Sequence, residues 1–150
     1  MSDCRSPADI LAGESNLTLL AKPLVLLVDN DPEGRSTCAE QLVASGFHVE
    51  QAHNGLQAFE RAIDRRPDAI VTELHLPGID GYELTRRLKS DPRTASVPVL
   101  AVTGYAPFTR DPSRADRAGC DAVLIKPVDP VELDRTLHAL IQEARRRRTA

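Results

Sequence analysis

Five side chains that could do chemistry each stand at the end of a short apolar run. They are Asp29, Asn30, Glu73, Thr103 and Lys126. Carboxylate and amide oxygens are ligands for Mg²⁺, while a hydroxyl and a lysine can hold the oxygens of a phosphoryl group. Taken singly, each residue also has an ordinary explanation as a helix cap, a strand end or a solvated loop charge. The chemistry therefore depends on whether the fold brings them together.

The apolar runs have the pattern of strands in a parallel sheet. Five of them alternate with segments of helical periodicity, at residues 24–28, 47–52, 69–72, 97–103 and 122–125. Such alternation predicts right-handed crossovers and helices on both faces, a doubly wound α/β fold with a five-stranded parallel sheet. The second run should lie nearer a sheet edge, because polar residues interrupt it. Ligands bind such sheets at the carboxyl ends of the strands, where the five side chains would meet.

The helices carry their own signals. Asp31 followed by proline predicts an N-cap, and the helix it opens should bury Cys38, Leu42 and Val43. The last helix runs towards the arginines Arg145 to Arg148. Arginines at a helix C-terminus complement the helix dipole and are mostly solvated. No other basic cluster or interleaved aromatics accompany them, so nucleic acid is not favoured as a partner.

The composition is that of an ordinary globular domain. The chain has 150 residues, 41% hydrophobic and 27% charged, with a net charge of −3. No apolar stretch reaches the roughly 18 residues of a membrane span, so no membrane contact is expected. Three scattered cysteines favour neither a disulfide framework nor a zinc site, and they fit a reducing cytosol. We expect a cytoplasmic protein with a mobile extension at residues 1–22, one domain at 23–143 and a basic tail at 144–150.

Four segments resemble the receiver domain of two-component response regulators. They read LVLLVDNDPEGR, VTELHLPGIDGYEL, VLAVTG and AGCDAVLIKPVDP. The likeness extends over about residues 23–143, in the family's order and spacing. It implies a (βα)5, flavodoxin-like receiver fold.

The resemblance also implies roles for the residues at the strand ends. Asp29 and Asn30 stand at the family's acidic pair, which holds Mg²⁺. Glu73 stands at the phosphoacceptor aspartate. Thr103 and Lys126 stand at the two positions that contact the phosphoryl group.

Two of these positions depart from the family pattern. Glu73 replaces an aspartate, and Asn30 offers an oxygen but no charge, so Mg²⁺ binding by Asp29, Asn30 and Glu73 should be weak or lost. The extra methylene of Glu73 displaces the nucleophile, and a displacement of about 1 Å can cost about 100-fold in rate. We therefore expect a receiver independent of phosphorylation. Glu73 either stands in for part of a phosphoryl group or merely pairs with Lys126 in a decayed pocket.

The output side departs from the family as well. Val123 stands where family members often carry a switch aromatic, three residues before Lys126, and a β-branched side chain has few rotamers. The family's peptide bond after this lysine is typically cis. Prolines in the segment after the fourth strand predict a short fourth helix or a long loop before it. Tyr105 and Phe108 in that segment are either a partner anchor or a cover for the missing helix turns.

The sequence thus favours a stand-alone receiver that acts through protein contacts and is not an enzyme. Expected partners are a histidine kinase, a phosphotransfer protein or a downstream signalling protein, on the surface of the fourth helix, fifth strand and fifth helix. A homodimer is left open. One alternative is a phosphorylatable receiver that uses another pocket acid, such as Asp29. A small flavodoxin-like or phosphatase-type enzyme is the other, although the sequence offers no phosphate-cradling glycine-rich loop for it.

Overall fold

The computed structural model describes residues 21–104 and 110–149. Most of the predicted extension, residues 1–20, lies outside the described residues, and so do Tyr105 and Phe108. Within the described ranges, no helix is both long enough and apolar enough to cross a bilayer.

Strands and helices alternate along the described chain. The strands are β1 (Leu24–Val28), β2 (His48–Ala52), β3 (Ala69–Thr72), β4 (Val99–Thr103) and β5 (Ala122–Ile125). The helices are α1 (Pro32–Ala44), α2 (Gly55–Arg65), α3 (Gly81–Ser90), α4 (Ser113–Ala118) and α5 (Pro130–Thr149). Each predicted strand is present, and its bounds differ from the prediction by two residues at most.

The five strands form one parallel sheet in the order β2-β1-β3-β4-β5. This order confirms the doubly wound α/β prediction and places β2 at an edge, as its interrupted pattern indicated. From β1 the chain crosses to β2 on one side of the sheet, and from β3 it continues to β4 and β5 on the other side. The crevice of such a sheet therefore opens where β1 and β3 end, and Asp29 and Glu73 follow those two strands directly.

The core has two parts, one on each face of the sheet. On one face, α2, α3 and α4 cover the sheet, and Tyr82 is the largest fully buried side chain there. On the other face, α1 and α5 cover it. Phe47 stacks on His138 of α5 with 4.9 Å between ring centroids. The rest of the core is mostly aliphatic, which accounts for a packed domain with few aromatic residues.

Helix α1 begins as predicted, and Leu42 and the partly buried Cys38 face the core as predicted, but Val43 does not. Asp31 caps it by accepting a hydrogen bond of 3.2 Å from the backbone N–H of Gly34. Its buried residues are Ala39 and Leu42, whereas the predicted core residue Val43 is 57% exposed. The inward stripe ends at Leu42 because the next position has already turned by about 100° towards solvent.

The last two helices differ in length. The predicted short fourth helix is α4, which covers six residues before Gly119. In contrast, α5 continues through Thr149, and Ala144 within it is buried. Residue 144, the predicted start of a basic tail, therefore lies inside a helix that is packed against the domain.

Candidate functional site

The carboxylate of Glu73 connects the ends of three strands. The hydroxyl of Thr103, the last residue of β4, donates a hydrogen bond of 2.5 Å to Oε2 of Glu73. Nζ of Lys126, directly after β5, lies 2.9 Å from Oε1 of the same carboxylate. A hydroxyl bonded to a charged carboxylate normally lies at about 2.5–2.7 Å, so the contact with Thr103 is a charge-assisted hydrogen bond.

Lys126 also joins this group to the end of β1. Its Nζ lies 3.2 Å from Oδ2 of Asp29, whose side chain is only 12% exposed. The other oxygen of Asp29 accepts a hydrogen bond of 3.0 Å from the backbone N–H of Asp31. The guanidinium of Arg35 donates to the backbone oxygen of Asp29 at 2.7 Å. Four of the five residues singled out in the sequence are therefore in contact, while Asn30 is exposed.

The backbone around Glu73 fixes the direction of its side chain. Oε2 accepts hydrogen bonds from the backbone N–H groups of Leu74, at 2.7 Å, and His75, at 3.1 Å. The side chain thus folds back over its own turn while it reaches Thr103. Gly81 at the start of α3 keeps that turn close, because a Cβ there would lie 2.4 Å from the backbone oxygen of Glu73.

Electrostatic interactions at the site favour the charged forms of both Glu73 and Lys126. Burial raises the pKa of Glu73, but hydrogen bonds from Thr103, the His75 N–H and Lys126, with the lysine's charge, together bring it below its usual value. Burial lowers the pKa of Lys126, but its bond to Glu73 and the charges of Glu73 and Asp29 raise it above the usual value. The site is therefore an ion-paired cluster at neutral pH.

This arrangement fits a divalent cation poorly. The ammonium of Lys126 lies between the carboxylates of Asp29 and Glu73, where a cation would have to bind both. Across residues 21–104 and 110–149, no three His, Cys, Asp or Glu side chains are grouped to hold a metal ion. A Mg²⁺ ion would have to displace the lysine and then find its remaining oxygens elsewhere.

A cleft of about 660 Å³ opens beside these residues, between α1 and α5. We call it the α1–α5 cleft. Asp29, Glu73 and Lys126 line one end, and Cys38 of α1 and Leu133 of α5 line its walls. Burial and the nearby charge of Asp29 raise the pKa of the Cys38 thiol to about 11, so it is neutral at pH 7. No pattern in the sequence predicts this cleft.

The remaining predicted positions lie around the site. Val123 is partly buried and packs against the core on the α2–α4 face of the sheet. The bond between Lys126 and Pro127 is cis, as the resemblance implied. Sequence analysis missed two exposed apolar side chains on either side of that loop, Ile125 and Val131, which are 48% and 61% exposed. Their exposure could not be read from the sequence, because both occupy positions that suit a core.

Two curated relatives illustrate what the chain is similar to. It is 31% identical over 120 residues to the polar-differentiation response regulator DivK of Brucella anthropi, covering 80% of this chain and 97% of DivK. It is 33% identical over 124 residues to the DNA-binding dual master transcriptional regulator RpaA of Synechocystis, covering 83% of this chain and 51% of RpaA. The chain therefore spans about half the length of several of the curated relatives that it matches.

The chain is also similar to solved structures of receiver domains and response regulators. The receiver domain of a sensor histidine kinase from Pseudomonas aeruginosa, with a magnesium ion coordinated in its active site cleft, matches with a TM-score of 0.75 and 31% identity. That match covers 81% of this chain and 99% of the other. The chemotaxis response regulator CheY4 of Vibrio cholerae matches with a TM-score of 0.73 and 25% identity, covering 80% and 99%.

The family model described as the response regulator receiver domain matches residues 25–138. This range contains the sheet apart from its first residue, Leu24, and each of the contacts around Glu73. The chain therefore belongs to the receiver domains of response regulators, the proteins of two-component signal transduction.

Proposed function

We propose that this chain is an atypical receiver that signals through protein contacts without being phosphorylated. Glu73 stands at the phosphoacceptor position, and its carboxylate already holds Thr103 and Lys126. That double contact is the observation that carries the proposal. In a phosphorylated receiver, the resemblance implies, the same hydroxyl and ammonium would bind phosphoryl oxygens.

The carboxylate of Glu73 is an incomplete replacement for a phosphoryl group. It carries one negative charge, whereas a protein-bound phosphate carries about 1.5 to 2 at pH 7. One oxygen meets Lys126, and the other is shared by Thr103 and two backbone N–H groups. Each oxygen of the Glu73 carboxylate therefore already has a hydrogen-bond or ion-pair partner. These contacts make both oxygens poorer nucleophiles towards a phosphoryl donor.

The weak metal site supports the same proposal. Phosphoryl transfer relies on positioning and on charge neutralisation, which Mg²⁺ normally supplies. Asn30 contributes no charge, and Lys126 already bridges Asp29 and Glu73. We propose that Mg²⁺ binds weakly at this site.

A small enzyme of the flavodoxin or phosphatase type is the other alternative. Such an enzyme would show a flavin spectrum or turn over phosphatase substrates, and we expect neither.

Phosphorylation of Asp29 is the second candidate within signalling. Its side chain is 12% exposed, and both of its oxygens are engaged, one by Lys126 and one by the backbone N–H of Asp31. A buried carboxylate held in this way is a poor nucleophile for an incoming phosphodonor, since attack requires at least one of these bonds to break. We therefore favour the phosphate-independent receiver.

The proposed partners are proteins of the same signalling class. They are a histidine kinase, a phosphotransfer protein or a downstream signalling protein. DivK and the receiver domain of a sensor kinase are relatives of this chain, which supports that class. The exposed apolar side chains Ile125 and Val131 support a docking surface that includes β5 and α5. Charged residues in place of these two should weaken partner binding and leave the fold intact.

Incubation with acetyl phosphate and Mg²⁺, followed by intact-mass measurement, tests the proposal. We expect no added phosphoryl group on the wild type or on Asn30→Asp, because Glu73 remains in place. We expect one on the double variant Glu73→Asp, Asn30→Asp, which restores the family's residues. A phosphorylated wild type whose added phosphoryl group maps to Asp29, by borohydride reduction and peptide mass spectrometry, would instead establish the second candidate.

A further inference from the structure

The α1–α5 cleft is large enough to hold a small molecule. Its volume of about 660 Å³ lies within the range of about 300–1,000 Å³ that is common for ligand pockets. The ends of β1, β3 and β4 contribute Leu27, Val71 and Val102 to its lining, and α5 contributes Leu133. All four belong to the buried core and form the floor of the cleft. The more accessible apolar side chains of the lining, which an apolar body would contact, are Cys38, Pro127 and Val128.

The cleft stays open because α1 presents small side chains to it. Gly34, Thr37 and Cys38 lie on this side of the helix. A Cβ at Gly34 would lie 2.9 Å from an oxygen of Asp31 and 3.7 Å from one of Asp29. Larger residues at these positions would fill the space between α1 and α5.

The charge around the cleft favours one kind of ligand. Its lining includes four carboxylates, those of Asp29, Asp31, Glu33 and Glu73, and one ammonium, that of Lys126. Lys126 is already paired with Asp29 and Glu73. Asp31 and Glu33 are exposed at the start of α1, where a ligand can reach them. An anionic ligand would be repelled, whereas a cation would be attracted.

We propose that the α1–α5 cleft binds a small organic cation, an amine with an aliphatic or aromatic body. The body lies against Cys38, Pro127 and Val128, and the ammonium pairs with Asp31 and Glu33. This inference goes beyond the proposed function and does not depend on whether Glu73 accepts phosphate. Because Glu73 and Lys126 line the same cleft, a bound amine would give the receiver a chemical input.

Three probes with one apolar body test the proposal. They are 4-phenylbutylamine, 4-phenylbutanol and 4-phenylbutyrate, each titrated into the full chain at pH 7 and followed by backbone NMR. We expect the amine to shift the signals of Cys38, Val102 and Leu133, and to bind about tenfold more tightly than the alcohol. The carboxylate should bind most weakly. Equal affinity for the three probes, or amine shifts confined to Asp31 and Glu33, would overturn the proposal.

Variants distinguish the contribution of the cleft to amine binding from that of the carboxylates at its rim, Asp31 and Glu33. Cys38→Phe fills the cleft and should weaken the amine at least about tenfold. Asp31→Asn keeps a good N-cap, and it should weaken the amine about threefold while leaving the alcohol unchanged. Glu40→Gln removes a charge from α1 outside the cleft and should change neither. The proposed site is contradicted if neither Cys38→Phe nor Asp31→Asn weakens binding of the amine. If Cys38→Phe does not fold, the result for Asp31→Asn decides.

Discussion

Thr103 and Glu73 are joined by a hydrogen bond of 2.5 Å that links the end of β4 to the end of β3. The same carboxylate binds Lys126 after β5. One side chain thus holds two groups whose positions in other receivers, as the resemblance implies, depend on a phosphoryl group. Under the proposed function, this arrangement stands in for the one that phosphorylation would create.

Removing the charge of Glu73 should destabilise the domain. We expect Glu73→Gln to lower the free energy of unfolding by about 1–2 kcal/mol, because Lys126 loses one of its two partners and Thr103 loses a charged acceptor. The figure is kept low because Lys126 is 39% exposed. Urea unfolding measures it. The control Glu83→Gln breaks exposed pairs with Arg86 and Arg87 and should change stability far less than Glu73→Gln does.

The contribution of Glu73 should disappear in acid. Its pKa is lowered in the folded protein, so its stabilising effect is complete above the unfolded value of about 4.3 and is lost as pH falls through the folded pKa. The difference in unfolding free energy between the wild type and Glu73→Gln should be constant from about pH 6 to 7 and shrink below about pH 4.5. A difference that stays constant down to pH 3 would contradict the ion-paired site.

Gly81 should be needed for the position of Glu73. A Cβ at Gly81 would lie 2.4 Å from the Glu73 backbone oxygen and 2.7 Å from Cα of Leu74, and backbone atoms cannot move aside cheaply. We expect Gly81→Ala to cost about 1–3 kcal/mol in unfolding free energy and to shift the NMR signals of Glu73 and Thr103. Gly104→Ala is the matched control. Among residues 21–104 and 110–149, its Cβ would meet only Cβ of Lys126, at 3.6 Å, so stability should change by about 0.5 kcal/mol or less.

Lys126 should compete with divalent cations. Lys126→Met frees the carboxylates of Asp29 and Glu73, so Mn²⁺ affinity measured by electron paramagnetic resonance should rise by about tenfold. Lys89→Met is the control, because Lys89 binds Asp121 at the amino end of β4 and should leave Mn²⁺ affinity unchanged. Unaltered affinity in Lys126→Met would mean that the lysine does not occupy the cation's place.

The sequence was sufficient for the sheet because its strands are short apolar runs bounded by polar residues. It also placed Asp29, Glu73, Thr103 and Lys126 at one edge, since parallel strands bring their carboxyl ends together. It could not give the helix faces with the same accuracy. Val43 follows Leu42 directly, and only the packing of α1 decides which of two adjacent apolar residues turns inward.

The close contact between Gly81 and the backbone of Glu73 could not be predicted from the sequence, and neither could the α1–α5 cleft. Gly81 has an ordinary negative φ, so nothing marks it until the backbone of Glu73 is in place beside it. The α1–α5 cleft depends on the spacing between two helices that are about 90 residues apart in the chain. A pattern within either helix shows small or polar residues but not the distance across to its neighbour.

Beryllofluoride binding gives the most direct test of a receiver that does not use phosphate. Backbone NMR with Mg²⁺ and beryllofluoride should show shifts at Thr103 and Lys126 in the double variant Glu73→Asp, Asn30→Asp, and none in the wild type. If Glu73 imitates the phosphorylated state, the wild-type signals of these two residues should already resemble those of the beryllofluoride-bound double variant. Shifts at Thr103 and Lys126 in the wild type would contradict the account, because they would show an active phosphate site despite the glutamate.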